Sequence, residues 1–357
     1  MALDSLYIQG LRNLKPLELT PAPFNILYGY NGSGKTSILE AIYMLATGRS
    51  FRAHHHHVIT QGEPHLILRG VIHATDAAPV KIAIQKSRNN QHVMKVVTHE
   101  VASIAEIARY LPVQALHLLN YQVLQESPES RRKMMDWAVF HVEHSFLEQW
   151  RGFNHLLKQR NAALRLQNHP QALWETQLAL AGEQIHLLRQ RVCEGWLLNA
   201  EQFVLSFLDL SEVKLSYYPG WQVENTLADV FNQNLGRDLA LGYTYNGPQR
   251  ADIQVKYQNR LAQHVLSQGQ QKRLVAALLL SQAQWVHQQT AVQGILLIDD
   301  LPAELDKSAQ QQMMHVLSQL GMQVFLTCVE EDTAKAFAET LGAKLFHVEH
   351  GSVCVIE

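Results

Sequence analysis

The order of apolar and polar positions divides the chain into stretches of different period. Near the N-terminus LDSLYIQ and LKPLELT alternate as strands do, and the apolar run Phe24 to Leu27 ends at Gly29. A short apolar run closed by glycine reads as a buried strand. Ile38, Leu39, Ile42 and Leu45 then recur near the helical period, and the pattern stops at Gly48. LILRGVIHA and VKIAIQKS alternate as antiparallel strands, with QHVMKVVT as a third. From about Ser127 the period turns helical. RRKMMDWAVF, SFLEQWRGFNHLLKQRNAALRLQ and WETQLALAGEQIHLLRQRVCEGWLLNAEQFVLSFLDL hold few Gly or Pro and predict an insertion of two or three long helices. Strands resume at VKLSYYPGW and DIQVKY, a helix begins after Ser267, and GILLIDD (Gly294 to Asp300) and MQVFLTCV (Met322 to Val329) read as short buried strands. LFHVEHGSVCVI closes as a hairpin turning at Gly351.

Composition narrows this picture only a little. The 357 residues are 47% hydrophobic and 17% charged, which is a globular composition with room for one large or two medium domains. No apolar run approaches the roughly 18 to 20 residues of a membrane span, and MALDSLYIQGL lacks a basic segment followed by an apolar one, so a soluble cytoplasmic protein is expected. Cys193, Cys328 and Cys354 are scattered, which supports neither a disulfide framework nor a thiolate zinc site. The net charge of −2 announces no nucleic-acid partner globally, so any basic surface is local. Nineteen His include His54 to His57 and two copies of FHVEH, at Phe140 to His144 and Phe346 to His350. The first copy is expected in a helix with His141 and His144 on one face and the second at a strand end. One pentapeptide on two backbones argues for coincidence rather than a metal site. The four consecutive His read as a solvated loop.

The chemistry is concentrated in two places. In GYNGSGKTS, Gly29, Tyr30, Asn31, Gly32, Ser33, Gly34, Lys35, Thr36 and Ser37 follow a strand and open a helix, as a phosphate-binding loop requires. Glycines let backbone N–H groups cradle phosphate oxygens, Lys35 neutralises the β and γ phosphates of ATP, and Thr36 offers its hydroxyl to Mg²⁺. ILLIDDLPAELD supplies the matching acids: Asp299 to hold the magnesium through water and Asp300 to orient or deprotonate the attacking water. Far along the chain, LSQGQQKRL places Ser267 at a helix N-cap with Gly269 behind it, a second anion-binding terminus.

That stretch resembles the LSGGQ signature of the ABC-type ATPases: Ser267, Gly269 and Gln270 match, and Gln268 departs. In that superfamily the signature of one subunit completes the nucleotide site of another. Ala303 to Asp306 resembles the D-loop, and Thr327 stands where transporters carry a switch His. Within the superfamily, GRSFR (Gly48 to Arg52), SPESRRKMMDW (Ser127 to Trp137), LLKQRNAALR (Leu156 to Arg165), GPQRADI (Gly247 to Ile253), SQGQQKR and LIDDLPAELD resemble the RecF family, in order from Leu11–Asn13 to the last strands.

The resemblance implies an α/β fold of the ABC-ATPase head type, a phosphate-loop core plus an antiparallel β subdomain, with an inserted α-helical lobe. It implies lobe I from 1–115 with 290–357, and lobe II from 116–289. It further implies a slow, DNA-stimulated ATPase of recombinational repair whose ATP-dependent homodimer clamps DNA at single-strand/duplex junctions and acts with RecR and RecO to load RecA at gaps. In such a dimer Lys35, Asp299 and Asp300 act in cis and Ser267 and Gly269 in trans, with Gln270 also among the nucleotide-binding residues. Two departures stand out. Gln249 and Ala251 replace the His and first Asp of the family's GPHRDD, and LLNY (Leu118 to Tyr121) replaces a segment commonly reading SPED, which leaves Gln114 or Gln122 as candidates for sensing γ-phosphate.

Between Arg131 and Arg165 seven basic residues (Arg131, Arg132, Lys133, Arg151, Lys158, Arg160, Arg165) face three acids, a pattern open to DNA phosphates or to internal salt bridges. A membrane-transporter ATP subunit is the alternative, though its loop and signature are typically closer together. An SMC-type structural protein would need far longer heptads. A non-catalytic DNA-binding module remains open because Asp300 stands where ABC enzymes usually carry Glu.

Overall fold

The computed structural model describes residues 2–52, 58–74, 77–88, 92–96, 99–100, 103–116, 123–166, 173–208, 210–300 and 307–356. In chain order, strands β1 (Ala2–Gln9), β2 (Leu17–Leu19) and β3 (Phe24–Tyr28) lead into helix α1 (Lys35–Thr47). β4 (His65–Ala74), β5 (Ala77–Ser87), β6 (His92–Val96) and β7 (His99–Glu100) precede α2 (Ile104–Tyr110) and β8 (Val113–Leu116). α3 (Pro128–Val142), α4 (Phe146–Arg165) and α5 (Leu173–Leu208) are the long helices. β9 (Val213–Tyr218), α6 (Leu227–Gln233), α7 (Leu235–Leu241), β10 (Asp252–Tyr257), β11 (Arg260–Leu261) and α8 (Gln268–Thr290) follow. The chain ends with β12 (Ile295–Ile298), α9 (Lys307–Gln319), β13 (Gln323–Cys328), α10 (Glu331–Leu341), β14 (Lys344–Glu349) and β15 (Ser352–Ile356).

Two compact units emerge, one of residues 1–120 with 287–357 and one of residues 121–286. In the first, β14, β3, β13, β12 and β8 pair in parallel, with β15 antiparallel at one edge. The four residues of β12 are all buried, as expected of a parallel strand covered on both faces. A second, antiparallel sheet runs β2-β1-β4-β5-β6-β7. Helix α1 contributes Ile38, Leu39, Ile42 and Leu45 to one core with Leu3, Leu6 and Ile8 of the antiparallel sheet and Leu297, Phe325 and Phe346 of the parallel one. Gly48 ends α1 in the left-handed conformation (φ 68°), its N–H bonded to the Met44 carbonyl.

The closing hairpin turns through His350 and Gly351, both with positive φ (46° and 75°), as the tight two-residue connections of antiparallel strands demand. A Cβ on Gly351 would meet the Asn13 carbonyl oxygen at 2.1 Å, so only glycine fits. The Gly351 N–H donates to the Ser33 carbonyl at 2.9 Å and its carbonyl accepts from Lys15 N–H at 2.9 Å. The hairpin thus buttresses the loop between β3 and α1.

In the second unit, long helices pack around two buried guanidinium groups. Arg160 donates to Glu175 (2.9 Å), Asp238 (2.6 Å) and Thr244 (2.8 Å), and Arg189 makes a fork to both oxygens of Asp136 (2.8 and 2.9 Å) and donates to the Pro248 carbonyl at 2.6 Å. Buried charge at this depth is tolerated only with such pairing. The face expectation for the first FHVEH is corrected here: α3 ends at Val142, so His141 is helical while His144 lies beyond the end. His141 packs edge-on against Trp137 and Phe140, and burial pushes its pKa down to about 3.

Candidate nucleotide site

The phosphate loop follows β3, which lies inside the parallel sheet between β14 and β13. Ligands of such sheets gather at the carboxyl ends of the strands, and this is where the sequence-predicted residues converge. Gly29 (φ 146°) passes so close to β14 that a Cβ would meet the Val348 carbonyl oxygen at 2.2 Å. Lys35 Nζ donates to the carbonyls of Gly29 (2.6 Å) and Tyr30 (3.0 Å), which draws the loop around the lysine. Burial pushes the Lys35 pKa below its usual range, and the charges of Asp300 and Asp299 oppose that shift. Ser33 Oγ is buried with no partner among the described residues, an orphan hydroxyl of the sort a phosphate oxygen satisfies.

Asp299 joins three strand ends. Its Oδ1 accepts from Thr36 Oγ1 at 2.9 Å and from Thr327 Oγ1 at 2.8 Å, while its backbone N–H donates to the Leu116 carbonyl at 3.0 Å. The sheet order β3-β13-β12-β8 explains this: Thr327, on β13, lies between the loop strand and the acid strand. The Thr327 hydroxyl also accepts the Asp300 N–H at 2.8 Å. Asp300 has φ 53°, a left-handed conformation that Asp tolerates better than most residues.

These groups share a bowl of about 510 Å³ lined by Arg12, Asn13, Asn31, Gly32, Gly34, Lys35, Thr36, Ser37, Arg52, Asp299, Asp300 and Thr327. Arg12 is the functional candidate to which the sequence pattern assigns no role. Its guanidinium forks onto the fully buried Glu40 of α1 (3.0 and 2.9 Å), which also accepts from Ser50 and lies 4.0 Å from Arg52. The one signal in the sequence is an acid in the otherwise apolar run Ile38, Leu39, Ala41, Ile42. Asn13 Nδ2 donates to the Gly32 carbonyl at 2.8 Å and steadies the loop from the same side.

The helix terminus expected to bind a second anion belongs to the other unit. Ser267 caps α8: its Oγ accepts the Gln270 N–H at 3.3 Å, and Gln270 Oε1 accepts the Ser267 N–H at 2.9 Å, a reciprocal capping box. Gly269 has nothing within 4 Å of the place a Cβ would occupy, so the first turn of α8 is open. The neighbouring Gln271, not Gln268, anchors the turn by donating to the Leu266 and Gln263 carbonyls.

Of the basic residues in the insertion, Arg131 forks onto Asp252 (2.8 and 3.0 Å), Arg132 donates to the Ala251 carbonyl at 2.8 Å and Arg160 is buried. These three bond within the unit and brace it. They also tie SPESRRK to GPQRADI, in which Ala251 is fully buried and Gln249 donates to the Thr244 and Asn246 carbonyls. Arg151, Lys158 and Arg165 are exposed, as is Lys133, which pairs with Glu129. Gln114 is buried in β8. Gln122, Leu118 to Tyr121, His54 to His57 and Ala303 to Asp306 lie outside the described residues. Among the described residues, no cluster of three His, Cys, Asp or Glu is placed to hold a metal, and no helix is long and apolar enough to cross a membrane.

The family described as RecF/RecN/SMC N terminal domain matches residues 2–352. The chain is 39% identical to the DNA replication and repair protein RecF of Stutzerimonas stutzeri, over 99% of this chain and 97% of that protein. It is 38% identical to the protein of the same name from Cellvibrio japonicus, over 99% of both. Its fold matches the structure of the recombination mediator protein RecF with ATP in the RecFOR pathway, with a TM-score of 0.86 at 24% identity over 99% of this chain and 97% of that one. It matches an Smc head bound to the C-terminal winged-helix domain of ScpA with a TM-score of 0.62 at 14% identity, over 100% of this chain and 97% of that one. The fold is therefore an ABC-ATPase-type head with an inserted helical lobe.

Proposed function

The chain belongs to the RecF/RecN/SMC family, and on that footing we propose that it is an ATP-dependent DNA-binding protein of recombinational repair and replication-fork maintenance, a slow ATPase whose turnover DNA stimulates. The observation that carries this reading is the Thr36–Asp299–Thr327 network facing Lys35 in one bowl. Full-length matches to proteins named RecF disfavour the transporter alternative.

In the proposed cycle, loop N–H groups from Gly29 to Ser37, together with Ser33 Oγ, hold the phosphates of ATP. Lys35 exchanges its carbonyl bonds for β- and γ-phosphate oxygens. Thr36 would hold Mg²⁺ through its hydroxyl and Asp299 through water, a small ligand set of the type that leaves most coordination to water and phosphate. When bound, the ion would neutralise charge on the transferring phosphoryl group. Asp300 orients the attacking water and accepts its proton. Ser267, Gly269 and Gln270 of one copy complete the nucleotide site of a second, so each chain carries two half-sites, one on lobe I (1–115 with 290–357) and one on lobe II (116–289). ATP therefore favours a homodimer, and hydrolysis releases it.

The dimer clamps DNA at single-strand/duplex junctions without sequence preference and acts with RecR- and RecO-like mediators, and so with RecA, in the cytoplasm. The test is size in solution and ATP turnover, with and without gapped DNA, for the native chain and Ser267→Arg. A monomer that becomes a dimer with ATP, and turnover that rises with DNA, are expected; the variant loses both while still binding ATP. Constant size and DNA-independent turnover would overturn the reading.

A further inference from the structure

The segment that follows α7, residues 242–246, carries two tyrosines that the nucleotide site does not use. Thr244 between them is turned into the second unit: its N–H and hydroxyl both donate to Asn161 of α4 at 2.8 Å, and its hydroxyl accepts from Arg160 at 2.8 Å. Tyr243 and Tyr245 are half-buried, and two exposed arginines lie on their rings. The Arg237 guanidinium is 3.4 Å from the centre of the Tyr245 ring, and that of Arg250 is 5.4 and 5.7 Å from Tyr243 and Tyr245. The order Arg237, Tyr245, Arg250, Tyr243 is therefore a ladder of alternating cations and rings. Helix α4 adds Lys158 and Arg165, both exposed and on the Asn161 face at helical spacing. The Arg165 stem lies 3.3 Å from the place of a Cβ on Gly242.

These cations lack acids. Among the described residues no ion pair engages Lys158, Arg165, Arg237 or Arg250. Asp238, the acid beside the segment, is 1% exposed and turned inward, accepting from Arg160 at 2.6 Å and from the Tyr245 N–H at 3.0 Å. In GPQRADI, Ala251 is buried and Gln249 bonds to the Thr244 and Asn246 carbonyls, while Arg250 points out. The backbone is already held by Asn161 and Asp238, so the arginines are not needed as braces, and a rigid ladder costs little to order around a ligand. Exposed guanidinium groups take phosphate oxygens; a tyrosine ring or a guanidinium plane takes the flat face of a base. A duplex stacks its bases on one another and offers such a surface phosphates alone, whereas an unpaired strand offers both.

We infer that Tyr243, Tyr245, Arg237 and Arg250 form a binding site for single-stranded DNA, stacking unpaired bases and pairing with their phosphates, with Arg165 and Lys158 continuing the phosphate track. The inference rests on the DNA-binding function proposed above and assigns the unpaired arm of the junction to the surface of the second unit.

The test measures binding of the full chain with ATP to an oligothymidylate of about 16 nucleotides, to a blunt duplex and to gapped DNA. Tyr245→Ala should weaken oligothymidylate binding about 5- to 100-fold and duplex binding by less than about twofold, and Tyr245→Phe, which keeps the ring, should bind as the native chain does. Arg237→Gln/Arg250→Gln, changed only at exposed positions, should weaken single-strand binding about tenfold or more and flatten its salt dependence while the thermal midpoint stays unchanged. Oligothymidylate carrying 5-iodouracil should cross-link to Tyr243 or Tyr245 under ultraviolet light. Equal losses on single strand and duplex, indifference of oligothymidylate binding to both variants, or a phenylalanine variant as weak as the alanine one overturns the site and leaves the DNA-binding function standing. Competition by polyglutamate as strong as by oligothymidylate assigns the surface to an acidic protein segment and also overturns it. A native chain that binds none of the three DNAs overturns both readings.

Discussion

Thr327 donates a 2.8 Å hydrogen bond to Oδ1 of Asp299, and the same hydroxyl accepts the N–H of Asp300 at 2.8 Å. One fully buried side chain thus fixes both acids at the carboxyl end of the parallel strands. Thr327→Val keeps the shape but leaves the Asp300 N–H without this acceptor. Urea unfolding should show a loss of about 1–3 kcal/mol, with ATP turnover lowered about tenfold or more. Thr327→Ser should restore both; an unchanged midpoint and rate in the valine variant would make the hydroxyl incidental.

Asp300 combines a proposed catalytic carboxylate with a left-handed backbone. Asp300→Gly and Asp300→Ala remove the same carboxylate, yet alanine resists φ 53° while glycine accepts it. Their unfolding free energies should differ by about 1 kcal/mol in favour of glycine. Single-turnover hydrolysis should fall about 100-fold in both, with ATP affinity retained.

The reciprocal bonds of Ser267 and Gln270 make the signature turn self-supporting in one chain. Ser267→Ala should cost about 1 kcal/mol of stability. Gln270→Ala should add less on top of it than it costs alone, because the two side chains share one motif. Additive effects in a double-mutant cycle would argue against the box.

His141 gives a pH dependence with a definite sign. Its pKa falls from an ordinary 6.5 to about 3 because burial penalises the charged ring. Between these values the unfolded chain binds the proton and the folded chain does not, so stability falls as pH drops from 6.5 towards 3. From pH 6.5 to 5 this group should remove about 2 kcal/mol. Chemical denaturation of His141→Phe, which keeps an aromatic ring beside Trp137 and Phe140, should show a shallower slope in this range.

Much of this was legible in sequence wherever a short-range pattern and the tertiary role coincide. Phe24 to Ser37 reads as strand, loop and helix because glycine, apolar run and helical period follow one another without interruption. Ser267 reads as a cap because capping is itself local. The Arg12–Glu40 fork was not legible, since it joins a loop to a helix through a pair that looks like one charge among apolar neighbours. β8 is four residues long and is defined by its pairing with β12. Counting charges between Arg131 and Arg165 treats Arg160 and Lys158 alike, whereas one is buried and the other exposed. Thr327 reads only as the residue in place of a switch His; its bonds to Asp299 and Asp300 depend on strand order.

The support of Ser33 by Gly351 sets a timetable for the nascent chain. β3 is made early, but its partners β13 and β14 and the turn beneath the loop come from residues 323 to 351. At roughly 5–20 residues per second of synthesis, the loop emerges from the ribosome some tens of seconds before its buttress exists. During that interval β3 is a strand without neighbours, exposed to chaperones and to mispairing. A messenger cut short before codon 351 yields a chain that carries the whole phosphate motif and lacks the floor it rests on.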